Sequence, residues 1–517
     1  MRKIYWGAAI AVCLIVFAIF FGLGTKEHSE KEIVLASSRD LIPGENEPYY
    51  CSSILKVWES LVSVSASGKI VPALAEDWVA DSGKTEWTFR LKKNIVFHDG
   101  TVFDANAVMK NFNRIRNMGY KASNFYGFRC EDIYPNLQDV VLQDDYTIKL
   151  IFSKAFPMLI YRMAGWGSAM FSPKCFDEKT GTFTGYAQGT GPFKIVDWSP
   201  GNQIILERFD GYHSELAKSE RIRIRTIPSA EARYSALKTG EIQGVLDLGS
   251  LPPVMARELV KDGRFTVDAA QSTISHFLTF NGTRFPFNDQ RMRQAVNLAL
   301  NRDKIVEHFF CGYGIPTSSF LNSRNPFAVK YVSAQDLVTA QRLAQEVLRG
   351  RRYPVRMILS HYSTDRYPYK AVAEYMQAEL KSLGLDIKIV MADNLAIRKI
   401  KDKGDFDMTI GIRGLGHQDP TVLLCDYFSS SGGTNLISKF GYKNEVVDQC
   451  FAELEFTNNI GDRKKLYEKI LEELIRYPAM APLLEDMNLA VSSKKIQDYR
   501  ATSYGVTLEK VCWSAKR

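Results

Sequence analysis

Few residues of this 517-residue chain stand at spacings that covalent chemistry requires. A hydrolase nucleophile would sit in a G-x-S-x-G turn, but the nearest run, Gly165-Trp166-Gly167-Ser168-Ala169, lacks the second glycine. The seven histidines are too dispersed for an H-E-x-x-H helix or a zinc cluster. His98 is expected at the surface of a turn, and His308 packed or solvated on a helix. Asp144-Asp145 read as turn residues, not an acid/base pair. Gly189-Thr190-Gly191-Pro192 lacks the Lys-Ser/Thr ending of a phosphate loop and feeds a strand instead of a helix. Arg413-Gly414-Leu415-Gly416-His417-Gln418-Asp419-Pro420 follows a strand and leaves it through two glycines. The planar fork of Arg413 suits a carboxylate, a solvated strand end being the alternative reading. No enzyme and no cofactor is expected.

The elements that must position this loop follow from periodicity. Trp87, Phe89 and Leu91 alternate with Thr88, Arg90 and Lys92, the period of a half-buried strand between turn clusters at 81–83 and 98–100. Val108, Phe112 and Ile115 predict a helix over 108–117, and 139–152 reads as strands around a turn at 143–145. From 289 onward helices and strands alternate. Helices are predicted over 289–310, 333–349 with Ser333 as N-cap, 369–383, 394–403, 444–456 and 462–477. Strands are predicted over 355–360, 385–391, 406–413 and 483–491. That alternation argues for an α/β lobe, while the first half is richer in strands.

Length alone predicts two or three domains. Apolar content of 45% and charged content of 24% are ordinary for a soluble globular chain. The net charge of +8 is modest and scattered, and the run Arg221-Ile222-Arg223-Ile224-Arg225 reads as one solvated strand face, so nucleic acid is not an expected partner. Arg2 and Lys3 precede an apolar stretch over 6–24, the layout of a secretory leader cleaved after Gly24. The stretch is also long enough for an uncleaved anchor. Cys13, mid-run behind Val12, does not suit lipoprotein processing. Eight cysteines, none in a C-x-x-C pair, leave Cys130 with Cys175 and Cys425 with Cys450 as candidate bridges, with connectivity open.

Several runs, in order, resemble one family. Residues 70–100 match its opening segment at Pro72, Leu74, Ala75, Trp78, Gly83, Thr85, Trp87, Phe89, Leu91, Phe97, Asp99 and Gly100. Gly189-Thr190-Gly191-Pro192-Phe193 is a second mark, and Arg208 with Tyr212 a third, with Phe209 where the family has Asn. The runs 232–242 (ARYSALKTGEI) and 286–297 (PFNDQRMRQAVN) complete the set. The chain thus resembles the extracytoplasmic solute-binding proteins, family 5, that serve peptide and nickel ABC importers.

The resemblance implies an α/β, two-lobed clamshell of the type II periplasmic-binding-protein kind, with an insert subdomain in the first lobe. Its expected division is 1–24 leader or anchor, 31–70 with 187–275 and 488–517 as lobe I, 71–186 as the insert, and 276–487 as lobe II. Crossings are expected near 275–281 and 482–490. The implied function is capture of a solute outside the cytoplasm by a monomer that delivers it to a membrane permease and its ATPase subunits. Peptides lead, chelated nickel is the alternative, and an envelope sensor or chaperone-like binder comes from a different class. The implied ligand-binding residues are Tyr50, Cys51, Trp166, Arg413, His417 and Asp419. Cys51 stands near a nickel binder's thioether, although a small apolar filler is the blander reading. Trp166 stands near a chelator-gripping Arg, or simply packs. The Asp that peptide binders use for the ligand ammonium is replaced by Gly416, and Gln418 and Gly414 replace the nickel binders' aromatic residues. Gly416 in place of that Asp, the donor fork of Arg413 and the positive overall charge together suggest a solute with a carboxylate or other anionic group.

Overall fold

The computed structural model describes residues 32–41, 54–65, 68–117, 121–122, 127–128, 130–165, 168–246, 251–414 and 418–515. The apolar stretch over 6–24 lies outside them. Among the described residues no helix is long and apolar enough to cross a membrane.

Two long strands organise the molecule. Phe265–Phe280 and Met480–Ser493 pair antiparallel from Phe265 opposite Ser493 to Thr279 opposite Met480, with a register break between Gln271 and Ser275. On one side of the break the sheet continues through Gly244–Val245, Glu32–Ser37, Arg221–Thr226, Gln203–Arg208 and Phe193–Ser199. On the other it continues through Met408–Gly414, Tyr353–Ser360 and Leu385–Ala392. One eleven-stranded sheet therefore passes from half to half only through these two strands. The break itself is held by a buried carboxylate. Ser323 donates from its backbone N (2.8 Å) and Oγ (2.6 Å) to Glu485, and Gln271 donates to the same group.

A separate four-stranded antiparallel sheet joins Ala75–Ala80, Glu86–Leu91, Thr147–Phe152 and Leu137–Asp144. Trp87, Phe89 and Leu91 are buried and Arg90 is exposed, as the two-residue period requires. The helix Ala105–Asn117 buries Val108, Phe112 and Ile115 against it. A second core, around Leu278, Phe280, Met292, Val296 and Met357, fills the C-terminal half of the large sheet.

The motif residues hold the fold. A Cβ on Gly189 would fall on the Val57 carbonyl and 2.7 Å from Trp58, and one on Gly191 would strike the Lys56 carbonyl. Only glycine permits that approach. Thr190 (2.8 Å), Tyr212 (3.1 Å) and His213 (2.9 Å) converge on Glu59. Arg233 is fully buried and donates to the carbonyls of Ile227 (2.6 Å) and Pro228 (2.7 Å). Arg293 does the same for Pro478 (2.7 Å) and Phe287 (2.6 Å).

Several expectations are corrected. His98 is only partly exposed and is held at both ring nitrogens. It donates through Nε2 to the Gly191 carbonyl (2.9 Å) and accepts from the Gly189 N–H (3.2 Å), and burial, outweighing its other interactions, depresses its pKa to about 4. The helix predicted over 289–310 stops at Ala299: Leu300 is extended, Asn301 caps a new turn, and buried Arg302 donates to the carbonyls of Thr317 and Pro482. The next helix is capped by Asp336, which accepts from Thr339 N (3.0 Å), and not by Ser333. Cys175, Cys425 and Cys450 are free thiols, so neither candidate bridge is formed. The Arg221-Arg223-Arg225 face is a half-buried ion-pair row with Glu32, Glu207 and Glu241.

Candidate functional site

Strands Tyr353–Ser360, Leu385–Ala392 and Met408–Gly414 run parallel, so Ser360, Ala392 and Gly414 end on one edge. Gly414 lies opposite Ile274, beside the register break of the crossing strands. The carboxyl edge of a parallel sheet is where open α/β folds bind ligands, because strand ends and following loops leave backbone and side chains uncovered there. Here Gly414 brings that edge next to the register break that joins the two halves.

Arg413 stands at that edge, Lys401 is within its electrostatic reach, and Arg366 acts with Arg413 on Tyr369. Arg413, next to the end of its strand, donates Nη1 to the Ile412 carbonyl (2.7 Å) and lays its guanidinium over Tyr427 at 5.4 Å. Its Nε is buried with no hydrogen-bond partner. Lys401, on the helix Asn394–Asp402, is half-buried; burial first, and the neighbouring Arg413 charge second, lower its pKa to about 8. Arg366 ends the short helix that follows Ser360 and donates to Tyr362 Oη (2.6 Å). Neither Lys401 nor Arg413 has a carboxylate partner among the described residues.

Beneath them lies a buried polar cluster from both crossing strands. Burial, with the neighbouring Tyr367 and Asp486 adding to it, raises the Tyr369 pKa well above that of an ordinary phenol. Its hydroxyl stays protonated and shares a hydrogen bond with His276 Nδ1 (2.7 Å). His276 Nε2 stands 3.3 Å from Asp486 Oδ1 without a hydrogen bond between them, while Tyr367 donates to Asp486 Oδ2 (3.3 Å). The cluster fixes the geometry of the floor and presents no group at a spacing for covalent chemistry.

Of the six residues expected to bind ligand, Tyr50, Cys51, Trp166 and His417 lie outside the described residues. Arg413 stands at the sheet edge. Asp419 is engaged elsewhere: its Oδ1 accepts from Thr421 N (2.9 Å) to cap the helix Pro420–Phe428, and its Oδ2 accepts from Arg162 Nη2 (2.9 Å). Both side chains are buried, 4% exposed for Arg162 and 3% for Asp419. Burial alone would raise the Asp419 pKa; the Arg162 charge and the hydrogen bonds outweigh it and hold it low. Gln418 N donates to the Tyr161 carbonyl (3.2 Å), so the segment is tied to the helix Leu159–Met163 at two adjacent residues. Sequence reasoning missed Lys401 and Arg366. The position of Arg366, one short helix beyond a parallel strand, was a usable signal; Lys401 gave none. Among the described residues no group of three or more His, Cys, Asp or Glu could hold a metal ion.

The chain is thus a two-part α/β body joined by a pair of crossing strands, with Arg413 at the parallel-sheet edge beside their register break. The model of the bacterial extracellular solute-binding proteins, family 5, matches residues 69–435, and the chain belongs to that family. The glutathione-binding protein GsiB of Salmonella paratyphi A is 25% identical over 452 residues, covering 86% of each chain. Among solved structures, NikA of Brucella suis in complex with Fe(III)-EDTA superimposes with a TM-score of 0.80 at 20% identity, covering 93% of this chain and 100% of that one. DppA of Helicobacter pylori with the peptide STSA gives 0.73 at 21% identity, covering 95% and 100%. These likenesses establish the fold. The protein is an extracytoplasmic, non-enzymatic solute-binding component of an ABC importer.

Proposed function

We propose that the solute is a short anionic peptide or peptide-like acid, held by Arg413 with Lys401 and Arg366 at the carboxyl edge of the C-terminal half. The observation that carries this reading is the Arg413–Lys401 pair: two adjacent, partly buried cations, one with a buried unpartnered N–H and neither with a carboxylate. Two like charges close together in a partly desolvated site are unfavourable until an anion joins them. Glutathione, for which the GsiB relatives are named, is a tripeptide-sized molecule with two carboxylates and fits that demand. Tyr50, Cys51, Trp166 and His417 are proposed to complete the cleft, and Asp419 to hold its rim through Arg162.

Capture would proceed by closure of the 276–487 lobe onto the remainder about the register break at Gln271–Ser275, followed by delivery to a permease. Export through the 1–24 leader would place the mature protein outside the cytoplasm. Isothermal titration of the purified protein with glutathione, a neutral dipeptide such as Met-Leu, and Ni(L-His)2 tests the reading. Tightest binding of glutathione, with its two carboxylates, supports it. Preference for the nickel complex or the neutral dipeptide overturns it.

A further inference from the structure

A second charged feature lies at the other end of the same half. Tyr353 and Leu385 begin the two parallel strands whose ends form the ligand edge, so residues beside Tyr353 stand about 25 Å from it at ~3.3 Å per residue. There a groove of about 880 Å³ opens between the 285–293 segment, the turn at 346–353 and residues 441–443. Arg291, Arg349, Arg351, Arg352 and Lys443 line it, against the carboxylates of Asp289 and Glu346.

Those two carboxylates are already neutralised. Asp289 accepts from Arg291 (2.7 Å), and Glu346 accepts from Arg342 (2.6 Å) with Arg291 at 3.7 Å. Arg352 pairs with Asp386 outside the groove. Arg349, Arg351 and Lys443 have no ion-pair partner among the described residues. Arg293 also lines the groove; buried, it spends its guanidinium on the carbonyls of Pro478 and Phe287 and interacts with Asp289. Arg349 can be accounted for as the complement of a helix C-terminus, since it caps Leu337–Leu348. Arg351 and Lys443 come from other elements and have no such explanation. The wall between them is aromatic: Phe285, 41% exposed, meets Tyr353 edge-on at 4.9 Å.

We propose that this distal groove is a second anion site, separate from the solute cleft, that takes a phosphate-bearing group. A single carboxylate would neutralise one of three unpaired cations. A phosphate monoester brings close to two negative charges and three acceptor oxygens, and guanidinium forks match its oxygens in pairs. The Phe285–Tyr353 wall provides contact for the organic part of an ester. The same chemistry could come from a soluble phosphate ester or from an anionic phospholipid headgroup.

The full-length protein is titrated with inorganic pyrophosphate at low ionic strength, where exposed charges are least screened, and sedimented in parallel with phosphatidylglycerol and phosphatidylcholine vesicles. The expected result is pyrophosphate binding that persists in Arg413→Ala, where the solute edge is disabled, and that weakens about tenfold or more when Arg351→Glu/Lys443→Glu is added to that variant. The neutral pair Arg351→Gln/Lys443→Gln, melting like the parent, should lose binding in the same direction. Extra sedimentation with phosphatidylglycerol that the double variant abolishes identifies the lipid source; pyrophosphate binding without it identifies the soluble one. Absence of binding to either probe, or binding abolished by Arg413→Ala and kept by the charge reversals, overturns the proposal.

Discussion

The buried Arg162–Asp419 pair makes the sharpest demand on stability. Removing one member of a desolvated ion pair leaves the other uncompensated and typically costs about 3–5 kcal/mol. Asp419→Asn isolates that effect, because Asn retains the oxygen that accepts from Thr421 N and so keeps the helix cap. A loss of about 3 kcal/mol is expected, with roughly 1 kcal/mol more for Asp419→Ala, which also removes the cap. Arg162→Met leaves a buried carboxylate whose pKa rises once the guanidinium is gone. A group with a raised folded-state pKa destabilises most above that pKa, so the penalty should shrink as pH falls from 8 to 5. The double variant Arg162→Met/Asp419→Asn should be much less destabilised than the two losses added together. Urea denaturation of the four proteins at pH 8 and pH 5 supplies the cycle. Single variants within about 0.5 kcal/mol of the parent, the range of ordinary surface substitutions, would show that the pair is solvated in solution and refute the reasoning. Solute affinity of folded Asp419→Asn should stay near parental; a stable variant that had lost the solute would return Asp419 to the ligand contacts.

Other consequences are equally open to measurement. Gly189→Ala places a methyl group on the Val57 carbonyl and against Trp58, and should lower the unfolding free energy by about 3 kcal/mol or prevent folding; an unchanged denaturation midpoint would contradict the close approach. His98 is kept neutral to about pH 4 in the folded state while the unfolded residue takes a proton near 6.5. Its contribution is therefore present above 6.5 and lost as pH falls toward 4, about 3 kcal/mol in all at 1.4 kcal/mol per pH step. The stability slope over that window should flatten in a folded His98→Gln protein. Arg413→Ala should weaken binding of an anionic solute by roughly tenfold or more, and Arg413→Lys should recover only part. Calorimetry at parental affinity for both would remove Arg413 from the site. Lys401, with its pKa near 8, should make that affinity fall between pH 7 and 9, and Lys401→Gln should abolish the dependence.

The alternation of helix and strand after residue 289 was legible because each amphipathic segment has its own period, and Gly384 stops its helix with a φ of 82° as the residue type suggests. The break at Leu300 was not. The helical pattern resumes at Ile305 and Val306 beyond the polar run 301–304; Asn301 caps the next turn, and the Arg302 guanidinium, bound to the carbonyls of Thr317 and Pro482, anchors the chain there. His98 reads as a polar turn residue until the Gly189–Gly191 segment, about 90 positions away, folds onto both its nitrogens. At the binding edge, Arg413 could be singled out because it precedes the glycines that end a strand. Its neighbour Lys401 belongs to a helix whose lysines look alike in sequence, and the burial that distinguishes it arises only when that helix packs on the sheet. Asp419 was visible as a polar residue beside Pro420, but its partner Arg162 stands 257 residues earlier, a separation that spacing does not reveal.

Native mass spectrometry of the protein purified from its own cells, followed by collisional release of whatever it carries, tests the central claim most directly. The account predicts a single non-covalent adduct of short-peptide mass whose released ion is acidic, and its loss in Arg413→Ala. A metal-chelate mass, a neutral or basic peptide, or an adduct that survives Arg413→Ala unchanged would contradict it.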